Sequence, residues 1–352
     1  MDLIEVLRKT IQERGSDLYI LPGSPMMVKV RGNLVPQTEE RISPADAEQI
    51  LTQIYHLAQD RDMGLLRSSG DDDFSFSLRE VGRFRCSAYR QRNSFGAVLR
   101  AVPFGIPSPE TMQIPPQVMN LADTKRGMIL VTGPAGSGKS TTLACLIDKI
   151  NKTREGHIIT IEDPIEYLHS HDKCLISQRE VSTDTGNFSY ALRAALRQAP
   201  DVILLGEMRD LETISTAMTA AETGHLLLST LHTVGAAKTI DRIVDVFPGS
   251  QQQQIRVQLS MLLRAVVSQQ LIPGVDGKLV PAFEIMMVDN AIASMIRDGK
   301  VHQLDNMIFA GAQNGMMSMD SSIQRLYQEG KISRDNALLY SVNRDMMEKR
   351  LR

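Results

Sequence analysis

Residues 127–150 read GMILVTGPAGSGKSTTLACLIDKI, and the order of strand, glycine-rich loop and helix in this stretch decides the fold of the longer part of the chain. Gly133, Gly138, Lys139 and Ser140 satisfy the pattern G-x-x-x-x-G-K-[S/T]. MILV is the strand that enters the loop, and Leu143, Leu146, Ile147 and Ile150 form the apolar stripe of the helix that leaves it. Glycines let backbone N–H groups point inward around phosphate oxygens, and the helix N-terminus adds positive potential. The candidate nucleotide-binding set is therefore Gly133, Pro134, Ala135, Gly136, Ser137, Gly138, Lys139, Ser140 and Thr141. Lys139 is expected to reach the β- and γ-phosphates, and the Ser140 hydroxyl to bind Mg²⁺.

Two further apolar strands end in carboxylates. VILLGE (202–207) delivers Glu207, matching a Walker B strand whose acid faces Mg²⁺ and the attacking water. ITIEDPIEY (159–167) delivers Glu162 and Asp163 before Pro164 stops the strand, and a carboxylate there can orient or deprotonate water. Acids often cap strands in solvent, but two such ends in one phosphate-loop domain favour catalysis. His225 and His232 bracket LLLSTL; their odd separation puts them on opposite faces of a continuous strand, which disfavours a shared metal. His232 falls at the strand's C-terminal end, where it could sense the γ-phosphate. His225 reads equally well as a structural hydrogen-bonder. Arg193 and Arg197 in YALRAALRQ lie one helical turn apart and read as a solvated or subunit-interface stripe. A guanine-reading N-K-x-D is absent, which points to ATP over GTP.

The chain has 352 residues, 42% hydrophobic and 23% charged, enough for two domains with separate cores. A net charge of −2 gives no bulk attraction to nucleic acid, and no nucleic-acid partner is expected. MDLIEVLRKTIQERG lacks the pattern of a signal peptide. No apolar run approaches the roughly 18 residues of a membrane span, so a cytoplasmic protein is expected. Cys86, Cys145 and Cys174 are far apart, which argues against a zinc site or a disulfide framework.

Prolines punctuate VPFGIPSPETMQIPP (102–116), which reads as an interdomain connector over 103–116. Before it, over 1–102, runs such as MMVKV and FRCSAY alternate with helical stretches and suggest a small α+β domain. After it, over 117–352, MILVTG, HIITIED, DVILLGE and HLLLSTL suit a parallel sheet covered on both faces, an α/β core. From about residue 251 onward the pattern reads as helical and methionine-rich.

GPAGSGKSTT, TIEDPIEY, ALRQAPDVILLGEMRDLETI and AAETGHLLLSTLHTVGAAKTIDRIVDVFP together resemble the Walker A, Asp box, Walker B and His box of secretion ATPases. Within that superfamily the chain is most similar to the PilT-type twisting-motility ATPases, which retract type IV pili. GSDLYILPGSPMMVKVRGNL, GRFRCSAYRQR and KVHQLDNMIFAGAQNGMMSMDSSIQRL extend the resemblance over essentially the whole chain. The resemblance implies a PAS-like N-terminal domain, a RecA-like core and C-terminal helices, assembled as a homohexamer that hydrolyses ATP with Mg²⁺. It further implies an inner-membrane pilus platform protein as partner, engaged from the cytoplasmic face of the membrane, with a second pilus motor ATPase as a further partner. By position it makes Glu162 the general base and Glu207 the Walker B acid, holding Mg²⁺ through a water. Asp163 falls in the Asp box, and His225 and His232 in the His box; Asp163 and His225 thereby join the expected nucleotide-binding residues, and His232 the catalytic ones. Arg85 in RFR and Arg100 in VLR match the family's phosphate-contacting arginines.

The family's AIRNLIRE reads AIASMIRD here (291–298), with Ala293 and Ser294 in place of its Arg–Asn pair. In the His box, Val234 and Gly235 replace the more usual small polar pair. Two other functions stay open on this reading. One is a pilus assembly or type II secretion ATPase, although such proteins commonly carry a four-cysteine insertion. The other is an accessory subunit that binds a partner motor and hydrolyses little by itself.

Overall fold

A computed structural model describes residues 2–30, 32–102 and 105–351 of the chain. Two compact units result: residues 1–105 with the short segment 166–168, and residues 106–165 with 169–352. The boundary after Gly105 falls inside the proline-rich segment, of which Pro103 and Phe104 lie outside the described residues.

The first unit is built on six strands, β1 (Asp17–Ile20), β2 (Met27–Val30), β3 (Asn33–Pro36), β4 (Asp71–Leu78), β5 (Gly82–Gln91) and β6 (Ser94–Val102). They pair antiparallel throughout in the order β3-β2-β1-β6-β5-β4. Alternation along β5 sends Phe84, Cys86 and Ala88 into a core completed by Leu7, Leu51 and Ile54 of the helices Leu3–Gln12 and Pro44–Leu57. The β5–β6 hairpin closes through Arg92 and Asn93, both at positive φ (46° and 60°), which suits the twist of the flanking strands. Inside, Asp72 accepts from the Tyr55 hydroxyl at 2.9 Å and from two nitrogens of Arg61 at 3.0 and 2.8 Å, so a buried carboxylate is fully compensated.

The second unit carries seven strands, β7 (Gly127–Thr132), β8 (Gly156–Glu162), β9 (Cys174–Glu180), β10 (Val202–Leu205), β11 (Leu226–Leu231), β12 (Leu263–Pro273) and β13 (Leu279–Met287). Their order is β13-β12-β7-β11-β10-β8-β9, parallel except for β13. Alternate residues of β7 feed opposite cores: Met128 and Leu130 one side, Ile129 and Val131 the other. Helix Lys139–Thr153 covers the second side through Leu143, Leu146 and Ile147, as a doubly covered parallel sheet requires.

Two expectations need correction. Residues 263–287 are not helical: helix Gly249–Leu262 gives way directly to β12 and β13, which complete the sheet beside β7. Leu263, Ala265, Val266 and Val267 at the start of β12 are buried between layers, and such a run carries no period that separates helix from strand. Helix Phe188–Ala195 also ends before Arg197, so Arg193 and Arg197 do not share a helical face; Arg193 instead pairs with Glu212 at 2.6 Å. Helices resume from Asn290–Arg297 and continue through Met319–Gln328 to Arg344–Arg350. They are tied to the sheet by Glu284 of β13, whose carboxylate accepts from the N–H groups of Ala236 at 2.8 Å and Met319 at 3.4 Å.

Candidate active site

The phosphate-binding loop leaves the C-terminal end of β7 and runs into helix Lys139–Thr153. Its course needs glycine at two points where another backbone or amide comes close. A Cβ on Gly133 (φ +142°) would lie 2.2 Å from the Gln269 carbonyl oxygen, and one on Gly138 (φ +88°) 2.8 Å from Gln269 Nε2. Lys139 is buried, and its Nζ donates to the carbonyls of Gly133 and Pro134 at 3.0 and 2.9 Å. The ammonium thus sits against the concave side of the loop. Pro134, Ala135 and Gly136 are exposed, Ser137 is buried, and Ser140 and Thr141 lie half-buried in the helix's first turn.

Two acids converge because β8 and β10 are neighbours in parallel register. Glu162 ends β8, and Glu207 lies two residues beyond β10. Gly206 brings the two strand ends together, since a Cβ there would lie 3.3 Å from the Glu162 Cα. Thr160 Oγ1 donates to Glu162 Oε1 at 2.7 Å and Gln178 Nε2 to the same oxygen at 3.4 Å, which orients the carboxylate. Glu207 Oε2 meets Arg209 Nε at 2.7 Å and His232 Nε2 at 3.5 Å. Hydroxyls of Ser229 and Thr230 on β11 donate to the carbonyls of Leu205 and Gly206 at 2.8 and 2.6 Å, fixing the path of the chain into Glu207. Asp163 follows Glu162 on an exposed turn, joined to Pro164 by a cis peptide bond.

His232 therefore joins the cluster, and His225 does not. His225 precedes β11, roughly 20 Å away along a strand that rises about 3.3 Å per residue. There its Nδ1 faces the Ala220 carbonyl at 2.9 Å and Thr223 Oγ1 at 3.1 Å, while its own carbonyl accepts from Gly127 N. Both histidines flank β11 rather than lying within it. Arg85 and Arg100 belong to the first unit, where they stand directly opposite each other on β5 and β6. Arg100 Nε donates to Asp17 Oδ1 at 2.9 Å. Burial pushes the Asp17 carboxyl up, but hydrogen bonds from Ser16 and Arg100 outweigh it and hold the group below the usual range.

Sequence reasoning missed Gln269, Gln178 and a cavity of about 210 Å³ beside the loop. Gly138, Thr141 and Thr142 line one side of the cavity, and Met112, Ile114, Leu271 and Phe283 supply apolar walls. Gln178 lies on β9 and Gln269 on β12, neither of which carries a motif, and the cavity draws its lining from segments far apart in the sequence.

The sequence matches the family described as Type II/IV secretion system protein over residues 3–349. The type IV pilus retraction ATPase PilT of Pseudomonas aeruginosa is 45% identical to it, over 96% of this chain and 97% of that protein. The type IV pilus ATPase PilU of the same organism is 41% identical, over 97% of this chain and 89% of that protein. A crystal structure of the pilus retraction motor PilT with bound ADP matches with a TM-score of 0.92 at 42% identity, covering 99% of each chain.

Proposed function

The chain belongs to the Type II/IV secretion system protein family, with its RecA-like ATPase fold, and from that premise we propose that it is the ATP-hydrolysing motor that retracts type IV pili. The observation that carries the enzymatic part is the convergence of Lys139, Glu162 and Glu207 at one edge of one parallel sheet. Open α/β sheets bind ligands at that edge. Loop N–H groups and Lys139 hold the phosphates of ATP, and the adjoining apolar cavity takes the base. The Ser140 hydroxyl and the Glu207 carboxylate are hard oxygen donors of the kind Mg²⁺ prefers, so these residues fit the ion. Bound there, Mg²⁺ would offset charge on the β- and γ-oxygens.

Glu162, held by Thr160 and Gln178, accepts the proton of the attacking water as general base. His232, against Glu207, reports the γ-phosphate to the loop that follows β11. Arg85 and Arg100 supply positive charge to the phosphates within a homohexamer, and Asp163 steadies the turn after the base. The role of His225 is to hold the start of β11 through its bonds to Ala220 and Gly127. The ring works on an inner-membrane pilus platform protein from the cytoplasmic side. Among the described residues no helix is long and apolar enough to cross a membrane.

The altered segment AIASMIRD (291–298) supports one second reading, an accessory subunit beside another motor. Two measurements separate them. The purified protein should hydrolyse ATP well above the rate of its Lys139→Ala variant, and deletion of its gene should leave pili that extend without withdrawing. A rate equal to that of Lys139→Ala favours the accessory subunit, and normal withdrawal in the deletion strain overturns the retraction reading.

A further inference from the structure

We propose that Gln269, within β12, is a positioning residue for the phosphate-binding loop and sets how tightly nucleotide is held. The inference rests on the ATPase reading above and adds to it a residue outside every motif that reading uses. Gln269 is 2% exposed, and both ends of its amide are engaged with the loop and the helix behind it. Nε2 donates to the Ser137 carbonyl, and Oε1 accepts from Thr142 Oγ1 at 2.9 Å. Its own backbone carbonyl is the group that a Cβ on Gly133 would strike. One residue thus contacts the beginning of the loop, its last turn and the first turn of the helix. The amide can sit only one way round, because its donor faces a carbonyl and its acceptor a hydroxyl that must donate.

The Ser137 carbonyl and the Gly138 N–H belong to one planar trans peptide, so they point in opposite directions. Pinning that carbonyl to Gln269 turns the Gly138 N–H away from β12 and toward the concave side of the loop. The next residue back, Ser268, faces the other side of β12 and accepts from Gly235 N at 2.9 Å, in the turn that follows His232. Consecutive residues of β12 therefore hold two loops at the nucleotide edge. An N–H aimed at phosphate serves ground state and transition state alike, so loss of the Gln269 contacts should weaken binding and leave the chemical step nearly unchanged.

The test compares the parent protein with Gln269→Leu, which keeps bulk and removes both contacts, and with Thr142→Val and Thr142→Ser, which remove and keep one donor. ADP affinity is measured by calorimetry, kcat and KM with ATP, and melting temperature without nucleotide. Gln269→Leu should raise the ADP Kd and the ATP KM by about tenfold or more, the effect of losing a well-placed buried hydrogen bond or two. Its kcat should stay within about twofold of the parent's. Thr142→Val should move KM in the same direction, and Thr142→Ser should restore it. Gln269→Leu with parental Kd and KM overturns the proposal, even if its melting temperature falls. Should Gln269→Leu fail to fold, equal KM values for Thr142→Val and Thr142→Ser overturn it. A parent protein that neither binds ADP nor hydrolyses ATP overturns the functional reading itself, a distinct outcome.

Discussion

Glu162 ends β8 and Glu207 lies two residues beyond the neighbouring β10, and each carboxylate has its own partners. Glu162 accepts from the Thr160 hydroxyl and the Gln178 amide, and Glu207 pairs with Arg209 and faces His232. With Glu162 as the general base, Glu162→Gln should keep ATP binding and lose about 10²–10⁴-fold in turnover, the usual contribution of a positioned base. Undiminished hydrolysis by Glu162→Gln would remove it from that role. A second residue-scale prediction concerns acid. Burial pushes the His169 imidazole from 6.5 down to about 4, against a weaker upward pull from Asp148. Between those values the unfolded chain binds a proton that the folded chain does not, so stability falls as pH drops from about 6.5 toward 4. His169→Asn should lose less melting temperature than the parent between pH 7 and pH 5, each kcal/mol retained counting for roughly 2–4 °C. Equal losses would mean that another group drives the acid response.

At the scale of elements, the loop and β12 are packed as one piece, and glycines test that packing. Gly133→Ala puts a methyl group 2.2 Å from a carbonyl of a strand paired on both sides, which cannot yield. Gly136 also has positive φ (+75°), but nothing lies within 4 Å of an added Cβ. Gly133→Ala should thus weaken ADP binding by more than about tenfold, while Gly136→Ala carries only the left-handed strain of roughly 1–2 kcal/mol. The opposite ranking in an ADP titration would contradict the close approach of loop and strand. Four of the seven strands of this sheet, β7, β8, β10 and β11, were legible as apolar runs ending at chemistry-bearing residues. β9 was not: it borders the sheet, leaves Leu175 66% exposed, and ends in Gln, Arg and Glu. β12 was hidden for a different reason. No glycine, proline or turn separates it from helix Gly249–Leu262, and only the backbone change at Leu263 (ψ 131°) marks the passage. The acids and the loop of the site could be read because their spacing is local. Gln269 could not, because its partners lie more than a hundred positions earlier and only pairing of β12 with β7 joins them.

For the whole molecule, the segment AIASMIRD offers a test of whether hydrolysis and mechanical output can be separated. Arg297 ends helix Asn290–Arg297, where its Nη2 donates to Ser294 Oγ at 2.9 Å and its Nε lies 3.7 Å from Asp298. Its backbone carbonyl accepts from Gln253 Nε2 at 3.1 Å, a bond that substitution preserves. Exposed ion pairs of this kind contribute about 0–1 kcal/mol, so Arg297→Ala should fold normally. Its ATPase rate should remain within about twofold of the parent's, since Arg297 lies outside the acid cluster. Pilus withdrawal should be lost, as seen by imaging labelled pili, if this helix end passes motion to the platform. Joint loss of ATPase and withdrawal would instead make the segment part of the hydrolytic assembly. The central position of β7 bears on biosynthesis. Met128 of β7 pairs with Leu263 of β12, so one side of the strand that launches the phosphate loop has no partner until β12 is synthesised. A nascent chain that has reached only residue 262 already carries the whole phosphate motif but neither Ser268 nor Gln269. On the reading of Gln269 proposed above, full nucleotide affinity arrives late in translation, and until β12 follows, one edge of the apolar strand β7 stays unpaired.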